Sequence, residues 1–145
     1  MDQEKLNELI EGLNVDLAAE YSATIQYTYY ASTVTGMAFQ ILKPFFEKEI
    51  PDEQGHALYL SEKIKTLGGE PTTKASEVKP VTEVSEMLEE ARKAEKDTIE
   101  RYEQRKRLAE ELGLTELVVK LEDMIADETR HMEEMMRLLQ DKRLS

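Results

Sequence analysis

Four long stretches of this chain repeat apolar residues every three or four positions, and each repeat is interrupted once by a glutamate. The first runs from Leu6 to Val34 through Glu20, and the second from Phe39 to Leu67 through Glu53. The third runs from Val84 to Leu112 through Glu95. The fourth runs from Leu114 through Val118, Leu121, Ile125, Glu128, Met132 and Met135 to Leu139. Such spacing lines up one face of an α-helix, and strand-like alternation is missing. Breaks fall near Gly36, across Gly68 to Pro80, and near Gly113. The two short breaks predict antiparallel helical hairpins, and the long one can return the chain along the bundle. The expected fold is all-α: a four-helix bundle of two antiparallel hairpins with one long crossover, residues 1–145 forming a single domain.

Pro44 and Pro51 fall inside the second stretch, where each removes a backbone donor and crowds the preceding turn. They predict a kink or loosened turn near Pro51, or a helix that starts late, near Pro44.

The chain has 145 residues and no cysteine, which excludes disulfide scaffolds, thiolate zinc sites and cysteine-ligated clusters. No apolar run approaches the ~20 residues of a membrane-spanning helix. The opening MDQEKLNELIEGLN is acidic and amphipathic and lacks the order of a signal peptide, so a cytoplasmic location is expected. The net charge of −12 repels phosphate backbones and anionic lipid, so neither nucleic acid nor membrane is an expected partner. It attracts cations.

A glutamate in an apolar stripe can place its head group at the stripe edge, in water. Four buried together cost several kcal/mol each unless a cation joins them. Glu20 and Glu53 are 33 residues apart, and so are Glu95 and Glu128. Each pair straddles its turn, so all four can stand at one height. The chain has two histidines, and each closes a Glu-x-x-His: Glu53 with His56, Glu128 with His131. Residues three apart share a helix face, so each pair can hold one metal ion. A shift of 75 residues superposes Glu20 on Glu95, Tyr27 on Tyr102, Glu53 on Glu128 and His56 on His131. The hairpins therefore read as equivalent halves around a two-fold site, the ligand pattern of di-iron and di-manganese bundles.

With LNELIEGLNVDLAAEYSATIQY, DEQGHA, AEKDTIERY and DETRHMEE in place, the chain resembles the ferritin-like di-iron proteins, most of all the bacterioferritin branch. The resemblance covers nearly the whole chain. It implies that Glu20 and His56 serve one iron, Glu95 and His131 the other, and that Glu53 and Glu128 bridge them. It also implies Fe(II) oxidation by O2 or H2O2, for iron detoxification or storage. Mn or Zn suits the same ligands. Haem in that branch is held by a methionine directly after the helix-two glutamate. Gln54 stands there, so no haem is expected. Two other readings are a rubrerythrin-like peroxide scavenger and a DNA-protecting or structural bundle.

Tyr27 and Tyr102 each lie seven residues from a ligand glutamate, either as core aromatics or as hydrogen-bond partners or electron donors behind the ligands. Tyr27 is favoured for the second role by its match to the family's helix-one motif. Asp52 and Asp127, next to the bridging glutamates, either orient histidines or face water. Tyr29, Tyr30, Phe45 and Tyr59 lie off the core stripes and offer a dimer face. The chain stops at Ser145 without the fifth helix of 24-subunit cages, so a dimer or dodecamer is expected over a 24-mer.

Overall fold

The computed structural model describes residues 1–143. Four helices make up its regular structure: α1 (Gln3–Thr33), α2 (Phe39–Thr66), α3 (Val84–Glu111) and α4 (Thr115–Leu139). Asp2 starts α1, its carboxylate accepting the backbone N–H groups of Glu4 and Lys5 at 3.1 Å each. Gly36 and Gly113 turn the two hairpins, at φ 80° and 72°, where a side chain would be strained.

Helix direction follows from the contacts across the bundle. Asp16 meets Arg105 while Tyr27 meets Glu95, so α1 and α3 run antiparallel. Lys48 meets Glu134 while Lys63 meets Glu116, so α2 and α4 do too. Helices α2 and α3 are then parallel, and residues 67–83 must cross the bundle's full length. A 28-residue helix is ~42 Å long, and a 17-residue strand of chain reaches ~56 Å. The crossover is tied down along α1. Asn14 donates to the carbonyl of Glu70 at 3.0 Å and accepts the N–H of Thr72 at 2.8 Å. Ser22 donates to the carbonyl of Ser76 at 2.6 Å.

Helix α2 begins at Phe39 and runs unbroken through both prolines, so the late start near Pro44 does not occur. Pro44 and Pro51 are exposed, as are Gln40 and Glu47, whose carbonyls lose their helical donors. Water can satisfy those carbonyls, and the face opposite stays packed through Phe45, Phe46 and Glu49.

Two apolar clusters flank a polar middle layer. One gathers Tyr27, Tyr30, Leu42, Phe46, Leu88 and Met135 near the α1–α2 turn; the other gathers Leu9, Leu13, Leu17, Leu60, Ile64 and Leu121 at the far end. Tyr30 and Phe45 belong to the first cluster, packed on Phe46 at ring distances of 5.4 and 5.5 Å. The expected dimer face loses both, because the stripe on each helix is wider than one residue per turn. On α4 the buried line is Leu117, Leu121, Met124, Glu128, His131 and Met135, while Val118, Ile125 and Met132 are half-buried. The helix is turned so that His131 faces inward. No helix among the described residues is long and apolar enough to cross a membrane.

Candidate metal centre

Each helix delivers one buried glutamate to the middle layer: Glu20, Glu53, Glu95 and Glu128, each no more than 2% exposed. One turn on from Glu53 and Glu128, His56 and His131 point the same way. These six side chains form two overlapping groups. Glu20, Glu53, His56 and Glu128 offer ligand atoms within 4.8 Å of one another; so do Glu53, Glu95, Glu128 and His131. Glu53 and Glu128 are in both groups. His56 Nδ1 lies 3.1 Å from Glu128 and 3.7 Å from Glu20. His131 Nδ1 lies 3.4 Å from Glu53 and 3.9 Å from Glu95.

The chemistry of these donors fits a pair of cations. Glu20 Oε2, Glu53 Oε1, His56 Nδ1, Glu95 Oε2, Glu128 Oε1 and His131 Nδ1 are all buried without a hydrogen-bond partner. Leaving one such atom unsatisfied costs about 1–3 kcal/mol. Six converging on one space are explained by ions that they would coordinate.

Outside this ring, each half braces the other. Tyr27 of α1 donates its hydroxyl to Glu95 of α3, and Tyr102 of α3 donates to Glu20 of α1. Asp127 of α4 contacts His56 Nε2 of α2 at 3.0 Å, and Asp52 of α2 contacts His131 Nε2 of α4 at 3.1 Å. Arg130 spans both aspartates, 3.5 Å from each. The imidazoles thus turn their outer nitrogens to carboxylates and their inner ones to the centre, the arrangement that fixes the tautomer of a metal-binding histidine.

Protonation follows the same geometry. Burial pushes the Glu53 carboxyl well above its ordinary range, helped by the charges of Glu20 and Glu128. Burial raises Glu128 as well. Burial opposes the charged form of His56, but the nearby Glu128 and Glu20 carboxylates prevail and lift it to about 11. His131 is raised against its burial by Glu49 and Glu128. In the absence of cations, protons on these groups offset the crowded negative charge. Burial and the surrounding carboxylates keep the hydroxyls of Tyr27 and Tyr102 protonated.

Two buried carboxylates lie outside the sequence reading. Glu49 stands against Nε2 of His131. It precedes Glu53 by one helical turn, a spacing that marks it, but the 75-residue repeat pairs it with Met124 and so hides it. Asp16 is held by Arg101 and Arg105 at 3.0 Å each, tying α1 to α3 beside the centre. Burial lifts its pKa to about 6 against the pull of both guanidiniums. A cavity of about 380 Å³ between α1, α3 and the crossover reaches the centre at Glu53, Glu95 and Glu128, and Lys79, Lys93 and Arg101 also line it. Gln54 is exposed and lines a second groove with Tyr21, Ile25 and Leu58.

Comparison with known proteins places this geometry. The family model described as the ferritin-like domain matches residues 10–144. A crystal structure of ferritin-like, diiron-carboxylate proteins from Bacillus anthracis superposes with a TM-score of 0.92 at 67% identity, covering 93% of this chain and 97% of that one. The bacterioferritin of Desulfovibrio desulfuricans is 33% identical over 132 residues, 90% of this chain and 73% of the relative. A nutrient stress-induced DNA-binding protein from Nostoc sp. is 30% identical over 82 residues, 57% of this chain and only 45% of the relative's length. With four helices, a buried glutamate–histidine layer and a family match over nearly its whole length, the chain belongs to the ferritin-like family of diiron-carboxylate proteins.

Proposed function

We propose that this protein oxidises Fe(II) at a two-metal centre, with O2 or H2O2 as oxidant, and so removes or stores reactive iron. The observation that carries the reading is the overlap of two four-residue groups in Glu53 and Glu128. Glu20 and His56 would hold one ion, Glu95 and His131 the other, and Glu53 and Glu128 would lie between them. Iron supplies the electrons when bound, since each Fe(II) loses one to the oxidant. The protein's residues do the rest. Four carboxylates balance two divalent charges and favour the trivalent product. Tyr27 and Tyr102 hold Glu95 and Glu20 in place. Asp52 and Asp127 take the outer N–H of His131 and His56, so that once metal displaces the extra proton each ring offers its bare inner nitrogen. The same donors accept Mn or Zn. The cavity beside the crossover offers a route from solvent.

Stopped-flow absorbance after mixing Fe(II) protein with O2 or H2O2 tests this. Glu53→Ala or Glu128→Ala should abolish fast oxidation while helicity stays intact; wild-type rates in either variant would place the chemistry elsewhere. Retained mineral marks iron storage, whereas repeated turnover with a reductant marks peroxide scavenging. DNA protection is the second reading, favoured by the name of the Nostoc relative and opposed by the net charge of −12. A low-salt DNA gel shift separates it. For assembly we infer a closed homo-oligomer, a dimer or dodecamer. Exposed Ile25 and Leu58, which line the groove between α1 and α2, support a contact between copies. Light scattering reads the mass directly.

A further inference from the structure

The internal two-fold is close but not complete. A shift of 75 residues carries Glu20, Glu53 and His56 onto Glu95, Glu128 and His131, and Asp52 onto Asp127. It carries Glu49 onto Met124. Both side chains are buried, at 2% and 3% exposure, so the difference lies inside the bundle. Each sits one turn before a glutamate shared by both groups. The Glu49 carboxylate contacts Nε2 of His131, beside Asp52. Met124 lines a pocket with His56 and Asp127, and its thioether is only a weak acceptor. His131 therefore turns its outer nitrogen to two carboxylates, one of them buried, and His56 to one.

We propose that Glu49 is a positioning residue that makes the two halves of the centre unequal. The half built from Glu95 and His131 binds a divalent cation more tightly than the half built from Glu20 and His56. Metal then loads in a fixed order. The reasoning rests on the two-metal reading above. Asp52 takes the hydrogen bond at His131 Nε2 as Asp127 does at His56 Nε2, and Glu49 sets a second, buried carboxylate against the His131 nitrogen alone. Outer carboxylate partners of a ligating imidazole fix its orientation and raise its basicity. Removing such a partner typically lowers metal affinity ~10–100-fold. Asp52 and Asp127 are comparably exposed, at 41% and 36%, and Arg130 lies equally far from both, so neither distinguishes the halves. Glu49 adds a carboxyl group where little water screens it, and on one side only.

Anaerobic Co(II) titration followed by visible absorbance tests the proposal with a readout independent of turnover. Glu20→Ala leaves the His131 half and Glu95→Ala leaves the His56 half. The first should bind Co(II) ~10–100-fold more tightly than the second. Adding Glu49→Met should erase that advantage in the Glu20→Ala background and leave the Glu95→Ala background unchanged. The reciprocal Met124→Glu should tighten the Glu95→Ala background. Glu49→Gln keeps an acceptor oxygen and should fall between; it carries the test with Met124→Glu if Glu49→Met does not fold. Equal affinity of the two halves, or equal loss in both on Glu49→Met, would overturn the proposal, because a purely structural role weakens both alike. A third Co(II) lost only with Glu49 would make it a ligand and overturn the positioning role. No Co(II) binding by the wild type would instead remove the two-metal centre itself.

Discussion

At one end of the bundle Tyr27, Tyr30, Phe45 and Phe46 stack into an aromatic cluster; at the other, leucines and Ile64 pack around Tyr102. Between them the same helices bury Glu20, Glu49, Glu53, Glu95 and Glu128 with two histidines. The end layers gain from leaving water, at ~25 cal/mol per Å² of apolar area. The middle layer loses by it, since buried charge without a counter-ion is expensive. The contrast indicates a division of labour: the ends hold the helices in register, and that register presses the carboxylates together. Stability and function are therefore opposed in the middle layer unless cations are present.

Metal should move stability most. Saturating Zn(II) or Mn(II), at ~1,000 times Kd, should add about 4 kcal/mol per site through binding to the native state alone. For a chain of this size that is a melting-temperature rise on the order of 10 °C or more. Calorimetry with and without chelator checks it, and an unchanged melting temperature would erase the contrast between layers. Next in size are the end layers. Leu13→Ala and Leu121→Ala should each cost ~2–5 kcal/mol in urea unfolding, with or without metal. A metal-dependent loss would mean that the layers are not separate.

A smaller effect of opposite sign sharpens the comparison. Glu53→Gln should stabilise the metal-free protein by ~1 kcal/mol or more at neutral pH, because the buried Glu53 carboxyl must take up a proton on folding and an amide need not, while weakening metal binding. The pH dependence points the same way. The folded state holds a proton on His56 up to about 11, whereas the unfolded chain releases it near 6.5. That contribution to stability is full below pH 6.5 and is lost as pH rises toward 11. Metal-free protein should melt progressively lower over that window, and metal should displace the proton and flatten the curve.

The helices, the hairpins, the crossover and the convergence of the six candidate ligands were legible because two periodicities coincide. Helical spacing places Glu20, Glu53, Glu95 and Glu128 on inward faces, and the equal spacing of each pair about its turn puts them at one height. Tyr27 and Tyr102 followed from the repeat, but not their crosswise pairing with Glu95 and Glu20, which depends on which helices face each other. Glu49 was hidden because it breaks the repeat, and Asp16 because its partners lie on a distant helix. The late start near Pro44 fails because exposure decides the cost of a lost hydrogen bond, and Pro44 faces solvent.

The proposed chemistry requires two metal ions in the middle layer, with Glu53 and Glu128 shared between them. Anomalous diffraction from crystals soaked anaerobically in Fe(II), recorded at the iron edge, would locate them. Two peaks are expected with the Glu53 and Glu128 carboxylates between them, one beside His56 Nδ1 and the other beside His131 Nδ1. A single peak, or none within the ring of six residues, would contradict it.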